Sequence, residues 1–160
     1  MAVVKQKQPA GRQVRVADSN CPEGVRCEIS LDGGHSIVTD EPIERGGTDT
    51  ATSPLMIFTS SLAACQTVQI VKVAEAMRFK HGAINIHAET VTDRVDGSAG
   101  GSNKVMRFCG AKMIIDIETD ETTERLARLQ KVSEDQCSVG NLFTDAGYEP
   151  EVIWNPRPMK

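Results

Sequence analysis

The chain has 160 residues, of which 25% are charged and 39% hydrophobic, and its formal net charge at pH 7 is -4. This length is enough for one domain with a hydrophobic core of its own, so we expect a single domain over residues 1–160. An acidic balance provides no basic surface for a nucleic acid or for an anionic membrane. The composition therefore argues against those two partners and favours small molecules or proteins.

The cysteines are odd in number and irregularly spaced, at Cys21, Cys27, Cys65, Cys109 and Cys137. This pattern does not describe the disulfide framework of a secreted protein. The start of the sequence lacks the apolar run of a secretory signal, so we expect a cytoplasmic protein whose first residues, 1–12, form a flexible tail. Cys21 and Cys27 have no second pair at metal-ligand spacing, which favours incidental thiols and no metal site.

The first predicted elements are a hairpin and a long helix. Residues 25–31 alternate between apolar and polar side chains, "DGGH" at 32–35 is a turn sequence, and a second strand follows to Thr39. A charged, Gly- and Thr-rich surface connection comes next. Ser53 as N-cap and Pro54 at the first helical position then predict a helix running to about Phe79.

This helix contains a stretch without charge that is long enough to raise the question of a membrane span. Its serine, threonine and glutamine side chains, such as Ser60, Thr67 and Gln69, would be costly in lipid. A buried helix of a protein that does not enter the membrane therefore explains the stretch better.

Two further strands are predicted where apolar residues alternate, over 84–90 and 109–117, with an exposed loop over 92–104 between them. A surface helix follows from about Glu121, with its apolar stripe at Leu126, Leu129 and Val132. A strand in the segment 149–155 closes the chain. Because strands and helices do not alternate regularly, this order predicts an α+β fold.

The segment "SEDQCSVGNLF" predicts another helix start in two alternative ways. Asp135 could be the N-cap with Cys137 in the first turn, or Ser133 and Gln136 could form a capping box. In both cases the positive end of the helix dipole is available to the Cys137 thiol. Cys65 lies inside the long helix, where a cysteine is by itself most often a small core residue.

Two segments together resemble a known family. The run "DEPIERGGTDTATSPLMIFTSSLAAC" ends at Cys65, and "QCSVGNLF" contains Cys137. This pairing is similar to the OsmC/Ohr family of organic hydroperoxide reductases, especially its OsmC-like branch, and the resemblance covers most of the chain from about Asp40 onward. It implies an OsmC-like fold, in which antiparallel sheets wrap around two central helices in an intertwined homodimer.

The resemblance also implies a chemistry. Carried over by position, Cys65 attacks an organic hydroperoxide and becomes a sulfenic acid, and Cys137 then forms a disulfide with it. A dithiol reductant, lipoyl-linked in some members, restores both thiols, and no cofactor is implied. The chain would then be a thiol-dependent peroxidase that serves in oxidative stress defence.

The family further uses an arginine that stabilises the thiolate and a carboxylate that holds this arginine. Arg45 lies 20 residues before Cys65, where the family places its arginine. The usual glutamate after the proline is missing, so Glu41 or Glu44 is the candidate carboxylate. Ser138 stands where many members have a proline.

A bulky hydroperoxide also needs an apolar pocket, for which Leu55, Phe58 and Leu62 are candidates at helical spacing from Cys65. The alternative function uses the same pocket. In it, an OsmC-fold protein binds a small lipophilic ligand and has weak or no peroxidase activity. A third possibility is a regulatory dimer in which Cys137 alone senses oxidant.

Overall fold

The computed structural model describes residues 11–97 and 104–160. Most of the predicted tail, residues 1–10, lies outside this range. The chain forms two compact units, a first that ends at Met56 and a second that spans Ile57–Lys160.

The first unit contains a three-stranded antiparallel sheet in the order β1-β2-β3, made of Ala17–Glu23, Arg26–Leu31 and Ser36–Thr39. The predicted hairpin of β2 and β3 is confirmed. Strand β1 was not predicted, because its sequence "ADSNCPE" has neither β-branched nor aromatic side chains. It forms by backbone pairing with β2, and all of its residues are exposed in the chain.

Helix α1, Pro54–Met77, begins where it was predicted to begin. The Met56 N–H donates to Ser53 Oγ at 3.4 Å, as expected of an N-cap. The helix ends two residues before the predicted end, because Arg78 adopts a left-handed conformation with φ of 51°. This turn directs Phe79 back into the core, where it is 5% exposed.

In the part of the chain that the structure describes, α1 is the one helix with the length and composition to cross a membrane. A core helix of a soluble protein passes the same test. Within its most apolar window, 17% of the residues are buried by the chain itself.

The second unit contains a sheet in the order β4-β5-β6, made of Ile84–Asp96, Lys104–Glu118 and Glu151–Arg157. Strands β4 and β5 are antiparallel, whereas β6 pairs in parallel with β5 and so departs from the expected antiparallel pattern. The predicted loop over 92–104 was too long. Residues 92–96 and Lys104 continue the hairpin as paired strand residues, all of them exposed except the half-buried Thr92, and residues 98–103 lie outside the described range.

Two helices follow β5. Helix α2, Thr123–Asp135, starts at an N-cap on Thr122, whose hydroxyl oxygen accepts from the Arg125 N–H. Helix α3, Ser138–Asp145, starts at Cys137 itself. Both predicted caps for this helix were therefore wrong, because the buried sulfur takes the capping position.

The core of the second unit lies between the sheet and the helices. On β5 every second side chain is buried, at Ala111, Met113, Ile115 and Ile117, as the alternation predicted. Leu62 and Ile70 of α1 and Leu129 of α2 belong to the same fully buried cluster. Burial of each large aliphatic side chain contributes about 1.5–3 kcal/mol, so this cluster holds α1 and its cysteine in position.

Candidate active site

Cys65 lies in the middle of α1 and is half-buried against the core. Phe58 and Leu62 share its helix face, since they precede it by seven and three residues. Leu62 is fully buried and Phe58 is partly buried. The Cys65 thiol is therefore fixed by a rigid helix while part of its residue remains accessible.

Cys137 is buried, with 1% of its surface exposed, and it is the N-cap of α3. Its sulfur accepts a hydrogen bond from the Gly140 N–H at 3.4 Å. The pKa of the Cys137 thiol is raised to about 11, mainly because of burial; the hydrogen bond from the Gly140 N–H opposes the rise, and the neighbouring Cys65 thiol adds to it. The expected help from the helix dipole is present, but loss of water outweighs it.

The two cysteines are neighbours in the fold, although their positions in the sequence differ by 72, since Cys65 is among the causes that raise the pKa of Cys137. Cys65 is half-buried and Cys137 is buried. Such a pair can form an intramolecular disulfide after the accessible thiol has been oxidised.

An apolar cavity of about 170 Å³ lies in the second unit, lined by Phe58, Phe108, Leu142, Phe143, Ala146 and Tyr148. Three aromatic rings pack on one another there, with centroids 4.8–5.9 Å apart. Phe58 lies about 10 Å from Cys65 along the helix, or two turns. An alkyl or aryl group would find apolar walls in this cavity.

Only one of the residues that line this cavity was predicted from the sequence. Of the three expected lining residues, Phe58 borders it, whereas Leu62 lies in the core. Leu55 is 42% exposed and belongs to the first unit. Phe108 and Phe143 were missed, because they lie on β5 and α3 and no local pattern relates these elements to Phe58.

A larger cavity of about 560 Å³ reaches Cys137 from the side of α2, and Gln66 also lines it. The Gln66 amide is fully buried, and its Nε2 donates to the Ser133 hydroxyl at 3.3 Å. Within the described residues, Gln66 Oε1 has no hydrogen-bond partner. The environment of Cys137 on this side is therefore polar, in contrast to the aromatic cavity.

The loop that carries Arg45 belongs to the first unit and is organised by the buried Asp40 carboxylate. This carboxylate accepts hydrogen bonds from the backbone N–H of Glu41, Thr48 and Thr50 and from both threonine hydroxyls. The Thr48 hydroxyl is the largest of the causes that hold the pKa of Asp40 well below its usual range. Asp40 therefore stays ionised and fixes the loop.

Within this loop Arg45 Nη1 lies 3.5 Å from Glu41 Oε2. The guanidinium is 65% exposed and the Glu41 side chain 23% exposed. Gly47 allows the tight turn, because a Cβ at this position would overlap the Glu41 carbonyl oxygen. Of the two carboxylates suggested by the sequence, Glu41 is the one in contact with Arg45.

Among the described residues, no group of three or more His, Cys, Asp or Glu side chains is placed to hold a metal ion. The second unit thus contains a pair of neighbouring cysteines, one within α1 and one at the start of α3, and an aromatic cavity whose wall includes Phe58 of α1. These features define the class of small α+β proteins that carry a cysteine pair on two helices.

The comparisons with known proteins identify the family. The model of the OsmC-like protein family matches residues 47–152, which include both cysteines of the pair. The chain belongs to this family. No curated protein matches the sequence significantly.

Solved structures show the same fold at low sequence identity. An organic hydroperoxide resistance protein from Elizabethkingia anophelis is 16% identical with a TM-score of 0.71, and the match covers 93% of this chain and 100% of the other. The organic hydroperoxide resistance protein OhrB of Bacillus subtilis is 17% identical with a TM-score of 0.62, covering 89% and 98%. An OsmC-like protein of unknown function from Vibrio cholerae is 12% identical with a TM-score of 0.68, covering 91% and 100%.

Proposed function

We propose that the protein is a thiol-dependent peroxidase that reduces organic hydroperoxides through Cys65 and Cys137. The observation that carries this proposal is the proximity of the half-buried Cys65 on α1 to the buried Cys137 at the start of α3, whose pKa is raised. Two similar structures are named as hydroperoxide resistance proteins, which supports the same activity. The aromatic cavity fits the organic group of such a substrate.

In the proposed reaction the Cys65 thiolate attacks the distal oxygen of the hydroperoxide and the O–O bond breaks. The substrate leaves as an alcohol once its oxygen takes up a proton, and Cys65 becomes a sulfenic acid. The Cys137 sulfur then attacks the Cys65 sulfur, water leaves, and a disulfide forms. A dithiol reduces this disulfide by exchange and is itself oxidised to a cyclic disulfide.

The different burial of the two cysteines supports this order of events. Cys137 has too little thiolate at neutral pH to attack a peroxide, because its pKa is about 11. Its S–H can instead donate to the Cys65 sulfur and stabilise negative charge there. The chemistry therefore begins at Cys65, and Cys137 enters when the sulfenic acid is present.

We also propose that Arg45 stabilises the Cys65 thiolate and that Glu41 orients Arg45. The support is the family resemblance together with the ion pair between the two side chains. If this is correct, Arg45→Ala slows the oxidation of Cys65 by hydroperoxide, and Glu41→Gln slows it less. Equal rates for Arg45→Ala and the wild type would remove Arg45 from the mechanism.

The proposal includes a homodimer of a single OsmC-like domain in the cytoplasm. Val68 and Val71 on α1 are 46% and 43% exposed in the chain, which leaves an apolar helix face that a second copy can cover. The five free thiols fit a reducing compartment. Sedimentation should give twice the chain mass, and Val68→Lys should shift the protein toward the monomer; a monomeric wild type would contradict the dimer.

The test of the activity is hydroperoxide consumption in the presence of a dithiol. Cys65→Ser should reduce the rate to that of the solution without protein. Cys137→Ser should leave a Cys65 sulfenic acid that dimedone traps. Cys109→Ser is the matched control, since Cys109 is also half-buried in the second unit and its sulfur contacts the Val91 carbonyl at 3.6 Å.

The aromatic cavity also favours a second function, the binding of a small lipophilic ligand without turnover. The two functions differ in their dependence on Cys65. A binding protein should bind a lipophilic probe equally well after Cys65→Ser, and the wild type should not consume hydroperoxide. Turnover that Cys65→Ser abolishes and Cys109→Ser preserves would exclude this second function.

A further inference from the structure

Cys21 and Cys27 face each other in the first unit, where β1 and β2 pair irregularly. The register joins Asn20 to Glu28 and Glu23 to Arg26. Cys21 and Pro22 on β1 therefore lie opposite Cys27 alone on β2, which is the arrangement of a β-bulge. Two cysteines that are six positions apart in the sequence become cross-strand neighbours.

The side chains of the two cysteines also approach the same turn. The Cys21 sulfur lies 3.2 Å from the Gly24 carbonyl oxygen, and the neighbouring Cys27 thiol is among the causes that raise the pKa of Cys21. The Cys27 sulfur lies 3.6 Å from the Val25 carbonyl oxygen. Both thiols therefore point toward the same turn, Cys21 from an exposed position and Cys27 from a half-buried one.

This geometry suits a disulfide. The adjacent residues, Asn20 and Glu28, are directly opposed, and such residues of antiparallel strands have Cα atoms about 4.5–5.5 Å apart. A disulfide needs about 4.4–6.8 Å, so the bond can form with little movement of the backbone. The exposure of Cys21 leaves one sulfur open to a reagent from solution, and Cys27 is already in place to attack next.

We propose that Cys21 and Cys27 form a second dithiol site, which small disulfides of the glutathione type oxidise to a cross-strand disulfide. One cysteine thiolate attacks the small disulfide, forms a mixed disulfide and releases one small thiolate. The other cysteine thiolate attacks the mixed disulfide and releases the second. The protein loses two electrons and two protons, and the small disulfide becomes two thiols.

The site is distinct from the pair proposed for peroxide reduction, because it lies on a strand hairpin of the first unit and needs neither Cys65 nor Cys137. Loss of contact with water and the neighbouring Cys27 thiol raise the pKa of Cys21. The exchange should therefore quicken as the pH rises. The product is a bond that fixes β1 to β2 at the bulge.

The tryptic pattern makes the experiment direct. Cleavage after Arg15, Arg26 and Arg45 places Cys21 in peptide 16–26 and Cys27 in peptide 27–45. The reduced protein is equilibrated with mixtures of reduced and oxidised glutathione, and the exchange is stopped with acid. The remaining free thiols are alkylated, the protein is digested with trypsin, and the peptides are identified by mass spectrometry without reduction. We expect peptides 16–26 and 27–45 to appear joined, with each lacking its free thiol.

The comparison is with the same chain in urea at the same glutathione ratio. The folded hairpin holds the thiols together, so we expect the joined peptides to be about tenfold or more enriched in the folded protein. Cys21→Ser should leave Cys27 as a mixed disulfide with glutathione, and Cys109→Ser should change nothing. Carrying out the titration on the double variant Cys65→Ser/Cys137→Ser as well as on the wild type separates this result from the fate of the peroxidase proposal.

Two results would overturn the proposal. One is separate glutathione adducts on Cys21 and Cys27 of the wild type without joined peptides. The other is an equal yield of joined peptides from the folded and unfolded chain, which would mean that the hairpin contributes nothing.

Discussion

Burial of Cys137 should make its thiol about 100-fold less reactive in the folded protein than in the unfolded chain. Iodoacetamide reacts with the thiolate, so its rate follows the thiolate fraction. The pKa of Cys137 is raised from an ordinary value of 9.0 to about 11, and a shift of about two pH units lowers the thiolate fraction about 100-fold at neutral pH. Because only 1% of the surface of Cys137 is exposed, restricted access of iodoacetamide should slow the reaction further.

The assay is alkylation of the reduced protein at several pH values, in buffer and in urea. The readout is peptide 132–160, which contains Cys137 and no other cysteine. In urea the rate should level off above about pH 9, whereas in the folded protein it should continue to rise tenfold per pH unit toward about pH 11. Because the same peptide is compared in the folded and the unfolded protein, effects of the neighbouring sequence on the reactivity of Cys137 cancel.

Two results would refute this reasoning. A ratio below about tenfold at pH 7 would mean that Cys137 is not desolvated in solution. A large ratio with both rates levelling off near pH 9 would mean that the reagent reaches Cys137 only after local opening. In the first case Cys137 could react before Cys65 is oxidised. In the second case exclusion of the reagent, and not the raised pKa, would protect Cys137.

Three further predictions concern stability. Phe143→Ala should lower the free energy of unfolding by about 3–5 kcal/mol, because Phe143 is 3% exposed among packed rings. The control is Leu142→Ala, at a 57% exposed position of the same helix, which should change this free energy by less than about 1 kcal/mol. Equal losses for the two variants in urea denaturation would contradict the packing of Phe143. The pKa of Asp40 is lowered in the folded protein, so its ionised form adds stability above the unfolded-state pKa, and this stability is lost as the pH falls through the folded-state pKa. Acid unfolding, followed by circular dichroism, should therefore be less steep in Asp40→Asn than in the wild type. An unchanged profile would show that Asp40 has no such role. Gln66→Met should change the unfolding free energy by no more than about 1 kcal/mol, because removal of the Oε1 acceptor, which has no donor among the described residues, offsets the loss of the hydrogen bond from Nε2 to Ser133. A loss of several kcal/mol would show that the two effects do not offset each other.

The sequence predicted those elements whose signals are local. Helix α1 starts at Ser53 and Pro54 because a hydroxyl cap and a proline act within one turn. The buried alternation of β5 was read correctly for the same reason. The cap of α3 was missed, since a cysteine takes that position only when the surrounding fold buries its sulfur.

Features that depend on pairing between distant segments were not predictable in this way. The parallel pairing of β6 with β5 joins segments about 40 residues apart, and no turn sequence between them predicts this pairing. The contact between Cys65 and Cys137 was expected only from the family resemblance. The contact between Cys21 and Cys27 was missed, because a spacing of six residues does not reveal a bulge in the strand register.

The most direct test of the central claim is a single oxidation. One equivalent of an organic hydroperoxide is added to the fully reduced protein, and the blocked tryptic peptides are analysed without reduction. Cys65 lies in peptide 46–72 and Cys137 in peptide 132–160, so their disulfide joins two peptides that are otherwise separate. Rapid appearance of this joined species, with Cys109 still reduced in peptide 108–112, is the predicted result; peptides that stay separate and fully reduced would contradict a peroxidase.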